Sequence, residues 1–121
     1  MKGGAAISVL MLLGACAPAP VETAPADPAA IARGRDAAAR LGCGACHAMP
    51  GIAWPKGRVG PPLAGFGARP LIAGELPNRA PLLAAFVTDA PAMAPGTAMP
   101  AIPMKKAEAD DIAAWLLSLD D

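Results

Sequence analysis

The hydrophobic positions of this chain are arranged first as a run and then as helical stripes, with long unpatterned stretches between. From Gly3 to Ala15 nearly every residue is apolar. That run is too short to cross a bilayer, which takes about 20 apolar residues in a helix, and Pro18 and Pro20 interrupt any continuation. Ala17 to Asp27 carries Pro18, Pro20 and Pro25 without apolar period and is expected to be extended. Asp27-Pro28 then reads as a helix start, a side-chain oxygen for free amides followed by a residue tolerated in the first turn. The helix is predicted to reach about Leu41, with Ile31, Gly34, Ala38 and Leu41 on one stripe and Gly42 ending it.

Beyond it, Pro50-Gly51, Gly60-Pro61-Pro62 and Gly65-Phe66-Gly67 suit a loop wrapped over a ligand, with little regular structure between Ala48 and Arg69. A short helix is predicted around Pro81 to Thr88, facing inward through Leu82, Leu83, Phe86 and Val87, with a weak cap at Ala80. Pro91, Pro95, Pro100 and Pro103 predict a stiff, non-helical loop that carries Met93 and Met99. The last helix is predicted over Lys105 to Leu119, with Ile112, Trp115, Leu116 and Leu119 on one face and Glu108, Asp110 and Asp111 near its positive end. The fold class expected is all-α, short helices joined by long loops.

Composition adds a constraint on the core. The 121 residues are 55% hydrophobic, but there are only two Trp, two Phe and no Tyr, beside 15 Pro and 13 Gly. An alanine-heavy domain of this size buries a thin core and usually relies on a metal, disulfide or ligand. Formal charge is zero; removal of Lys2 with a leader leaves nine basic against ten acidic side chains, a net −1. No basic footprint for nucleic acid exists, and no ring of lysines marks a docking face, so docking is expected to be largely apolar.

Candidate chemistry concentrates in Cys43-Gly44-Ala45-Cys46-His47. Two thiols three apart followed at once by an imidazole can bind one haem c covalently through Cys43 and Cys46, with His47 beneath the iron. The alternatives are a redox dithiol, which would want an alternating strand and helix pattern, and tetrahedral zinc, which would need a second pair of ligands. His47 is the only histidine, so the sixth iron position falls to Met, Lys, water or an external ligand. Met49 is too near His47 to reach the other face, which leaves Met93, Met99 and Met104. Met99 is preferred because Pro95-Gly96-Thr97-Ala98-Met99-Pro100 can hold a thioether rigidly, whereas Met93 and Met104 read more simply as gap fillers.

The first residues have the charged start and short apolar run of a secretory signal. Leu13-Gly14-Ala15-Cys16 resembles the lipobox of bacterial lipoproteins, which implies cleavage before Cys16 and lipidation of its sulfur. The division expected is a signal peptide over 1–15, a lipidated cysteine and Pro-rich tether over 16–27, and a haem domain over 28–121. A soluble export signal with an incidental Cys16 is the alternative; both place the protein outside the cytoplasm, and the first places it on the periplasmic side of a bacterial membrane.

From Gly34 to Leu119 the residues resemble the monohaem class I c-type cytochromes. The resemblance is carried by Gly34, the motif from Cys43 to His47, Gly60-Pro61-Pro62-Leu63, Asn78, Met99-Pro100 and Trp115. It is nearest to the cytochrome c domain fused to subunit II of bacterial haem-copper oxidases and to free lipoprotein forms. The resemblance implies a small cytochrome c fold and roles for single residues. Pro61 would accept the second N–H of His47, Arg69 and Asn78 would contact the haem propionates, and Gly34 would let the first helix approach Trp115. Two departures stand out: Ala38 where such domains usually carry an aromatic, and Phe86, which cannot donate a hydrogen bond, where they often carry Trp.

The function expected is a monomeric, membrane-tethered one-electron carrier with a redox protein donor and acceptor, the acceptor on analogy alone a haem-copper oxidase. Two rivals stay open: a haem subunit of a dehydrogenase or oxidase complex, and a ligand-binding sensor or enzyme. For the latter the chain offers no second histidine as distal acid or base. Trp54 is expected to pack at the haem edge, with docking of a partner as its alternative.

Overall fold

The computed structural model describes residues 26–120. The expected signal peptide, Cys16 and the expected tether as far as Pro25 lie outside the described residues. Helix α1 spans Pro28–Arg40, and the Asp27 carboxylate accepts from the Ala29 amide at 3.0 Å, as its capping chemistry predicts. Leu41 and Gly42 close it by donating to the Ala37 and Ala39 carbonyls, and Gly42 turns the chain at φ +78°, a left-handed conformation cheap only for glycine. A tight 3-10 turn over Cys43–Ala45 follows at once.

Helix α2 covers Ala80–Thr88 and buries Leu83, Ala84, Phe86 and Val87; Leu82 is only half-buried. Its N-cap residue, Arg79, offers no side-chain cap, in keeping with the weak start seen in the sequence. The proline loop departs from expectation. Ala90–Met93 forms a one-turn helix, α3, because Pro91 lies in its first turn, where its missing N–H costs nothing, and Asp89 caps the Ala92 amide. A two-stranded antiparallel hairpin, β1 Leu71–Ile72 and β2 Leu76–Pro77, is also present. Two-residue strands are too short to show a period of two.

Helix α4, Lys106–Leu117, lies against α1 in the most extensive helix contact among the described residues. The seam between them is built of small side chains, with Ala37, Ala38, Ala109 and Ala113 buried beside Ile112, Trp115 and Leu116. Gly34 sets the closeness of the approach. A Cβ there would stand 2.0 Å from the Asp111 carbonyl oxygen and 2.9 Å from the Trp115 Cβ, so only glycine fits. Ala38, the departure from the family pattern, is fully buried in the same seam.

Two cross-helix ion pairs flank the seam: Arg33 donates to both oxygens of Asp111 at 2.8 and 3.0 Å, and Arg40 pairs with Glu108. The Arg33 hydrogen bond holds the Asp111 carboxyl below its usual range. Glu108 is held below its own chiefly by the Lys105 amide and then by Arg40. These groups are solvated, so they fix helix register more than they hold the helices together. Behind α4, the 3-10 turn Phe66–Ala68 is tied down by the Gly67 amide donating to the Leu119 carbonyl at 2.7 Å.

Candidate functional site

A crevice of about 770 Å³ opens beside the turn after α1. Cys43, Cys46 and His47 form one part of its lining, Gly60, Pro61 and Leu63 another, and Leu83, Phe86, Ile112 and Leu116 the helical wall. Met99 and Pro100 line it from the loop before α4. The volume lies within the range of small-molecule and cofactor sites. Residues 56 positions apart in sequence, Cys43 and Met99, thus serve one concavity.

The geometry around His47 is the most determined part of the site. The amides of Ala45, Cys46 and His47 donate to Gly42, Cys43 and Cys43 carbonyls in turn, which coils the motif so that both thiols and the imidazole face the crevice. The imidazole Nδ1 lies 2.7 Å from the Pro61 carbonyl oxygen. Since that oxygen can only accept, Nδ1 carries the proton and Nε2 is left as the lone-pair nitrogen. Gly60 makes room for the ring: a Cβ there would stand 2.3 Å from the imidazole Cε1 and 2.7 Å from Nδ1. In the sequence Gly60 reads only as a turn residue; the signal for its second use is its place directly before Pro61. Burial pushes the Cys43 thiol up, so in the unmodified chain it stays neutral.

The methionines separate. Met99 and Met104 both line the crevice, whereas Met93 sits in a groove between α2, α3 and α4. The Met99 loop is tied at both ends, by the Thr97 amide to the Ala94 carbonyl at 3.1 Å and the Ile102 amide to the Thr88 carbonyl at 2.9 Å. The Met99 amide donates to the Thr97 hydroxyl at 3.2 Å. Met49 is buried and lines the crevice together with its neighbour His47.

Arg69 is the one charged side chain that lines the crevice among the described residues. Its guanidinium donates to the Pro62 carbonyl at 2.7 Å and lies 5.5 Å from the Phe66 ring centroid, which leaves other N–H groups for an anion. Asn78 does not line the crevice. Its amide nitrogen donates to the Phe66 and Arg69 carbonyls at 3.1 and 2.9 Å, and its Oδ1 is buried with no protein partner. Both its donors are therefore occupied in bracing the turn that carries Arg69.

Trp54 corrects the expectation that it packs. Its side chain is 84% exposed. It does not line the crevice, while, three residues on, the Gly57 amide donates to the Gly44 carbonyl at 2.8 Å.

Two thiols, an imidazole with its Nε2 free, apolar walls and one peripheral guanidinium fit a haem held covalently with its hydrocarbon face buried and its carboxylates outward. They do not fit a tetrahedral metal site, since no group of three or more His, Cys, Asp or Glu is placed to hold a metal ion among the described residues. Comparison with known families agrees: the family model described as Cytochrome c matches residues 31–120. No curated protein matches the chain.

Proposed function

The chain belongs to the cytochrome c family, a haem-binding electron carrier with covalent haem c, and on that premise we propose a membrane-tethered, exported carrier whose iron is ligated by His47 and Met99. One observation carries the ligation: Cys43, Cys46, His47 and Met99 line a single apolar crevice. The haem supplies a one-electron iron couple. The chain's residues do the rest. Cys43 and Cys46 hold the porphyrin edge, and Pro61 orients the His47 imidazole with Nε2 inward. Met99, on its braced loop, would be the second protein ligand to the iron, and a thioether ligand would favour its reduced state. Leu63, Leu83, Phe86, Ile112 and Leu116 line the crevice and would keep water from the bound haem. Arg69 is offered as the propionate partner.

Cys16 and the stretch to Asp27 are proposed to be the anchor and leash, reaching on the order of 30 Å from a membrane on the periplasmic side. A respiratory donor and an oxidase acceptor complete the reading. It is tested by redox-titrated absorbance of the detergent-extracted protein. Wild type should show the weak red sulfur-to-iron band when oxidised and bind carbon monoxide slowly when reduced. Met99→Ala should lose that band and titrate at a lower potential, and an unchanged spectrum would remove Met99 from the iron.

A further inference from the structure

We propose that the groove between α2, α3 and α4 is a seat for the chain's own leash, with Ala17 to Val21 lying along it. The proposal rests on the reading of Cys16 to Asp27 as a retained tether and gives that tether a place on the head. The groove holds about 680 Å³ and is distinct from the crevice, with which it shares only Met104 as a lining residue. Its floor is small and apolar: Ala84, Ala85, Ala92 and Ala109, with Pro81 and Met93. The charged groups on its rim are already matched. Lys106 pairs with Asp110 at 2.6 Å, and Asp89 accepts from the Ala92 amide at 3.3 Å. An occupant therefore needs no charge, and Ala17-Pro18-Ala19-Pro20-Val21 carries none. Its two prolines have no N–H to lose from water on burial, and they stiffen the segment beforehand, so less freedom is lost when it docks.

Reach favours this segment over a separate partner. A Cβ on Gly34 would stand 2.0 Å from the Asp111 carbonyl oxygen, so α1 touches the α4 backbone one residue from Asp110 at the edge of the groove. Asp27 precedes Gly34 by seven residues, which is about 10 Å along α1. Residues 17–26 extend to about 30 Å as a polyproline-like chain. Roughly half of that length spans from the start of α1 to the groove, and the other half is left to lie in it. A segment attached so near its seat acts at an effective concentration on the order of mM, so a contact too weak to hold a free peptide suffices. Seated, the leash holds the head close to the lipid; released, it lets the head range on the order of 30 Å.

The test uses the lipidated holoprotein in phosphatidylcholine nanodiscs and a glutamate-specific protease, which cuts after Glu22, directly beyond the seated stretch. A protease grips several residues on each side of the bond it cuts, so the rate reports the released fraction. Ala85→Arg fills the groove from an exposed position and should speed cleavage after Glu22 at least about tenfold while haem absorbance stays wild-type. In the uncut protein, Pro18→Ser/Pro20→Ser/Val21→Ser should shift the methyl NMR signal of Met93 and leave that of buried Met49 in place. Equal cleavage rates in wild type and Ala85→Arg, or a Met93 signal indifferent to the triple variant, would overturn the seat. A Met93 signal that moves with the number of molecules per nanodisc and not with the triple variant would overturn it in favour of a second copy. An intact mass placing the start of the purified chain beyond Val21 would overturn the leash reading beneath it.

Discussion

At the scale of single residues, His47 is held by what its neighbours lack. Gly60 has no Cβ, and Pro61 contributes only a carbonyl; between them the ring has one place to lie and one nitrogen to offer. Gly60→Ala should push the imidazole off the Pro61 oxygen and loosen its hold on iron. Partners that orient a ligand in this way are typically worth about 10- to 100-fold in affinity, so acid should displace His47 from the iron of the variant at least about tenfold faster, followed by stopped-flow absorbance. A wild-type rate would remove Gly60 from the site. The cysteines and His47 were legible in the sequence because their chemistry requires a fixed local spacing. Asn78 was not, since which carbonyls its amide meets depends on how the chain folds back at Phe66 and Arg69. Trp54 misled because an aromatic in a Pro/Gly-rich loop carries no periodic pattern from which its exposure could be read.

At the scale of elements, the apolar stripes marked α1 and α4, the resemblance implied their contact through Gly34, and the structure seats Gly34 against Asp111 and Trp115. Gly34→Ala should force the helices apart. Overpacking of this kind costs roughly 2 kcal/mol, and in a domain of this size that lowers the thermal midpoint by roughly 10 °C, measurable by circular dichroism of the holoprotein. An unchanged midpoint would mean that the seam yields without cost. What the stripes could not show were the hairpin Leu71 to Pro77 and the single turn α3. Each is shorter than the window in which periodicity can be counted. The turn α3 also uses Pro91 where a proline is harmless, so a residue that breaks helices elsewhere gave the wrong sign.

For the whole molecule, the folded domain and its proposed anchor make separable predictions. Cys16→Ser should leave spectrum and potential unchanged and move the protein from the membrane to the soluble fraction, followed by its haem absorbance. Continued membrane association would sink the anchor. The same separation holds for charge: net charge is near zero, yet the acid-free stretch from Ala37 to Gly74 and the carboxylates of α4 lie in different parts of the chain. Net charge alone therefore describes this surface poorly.

The contact between α1 and α4 also governs when the domain can form. Arg33 and Asp111, which meet across it, are 78 residues apart in sequence. Closing so long a loop delays folding until nearly the entire chain has been made, because the first helix has no partner before the last one emerges. Throughout that interval Cys43, Cys46 and His47 belong to an open segment. A chain built from its N-terminus thus exposes both thiols to covalent modification before the crevice walls assemble around them, and a truncation that removes α4 should extend this window indefinitely.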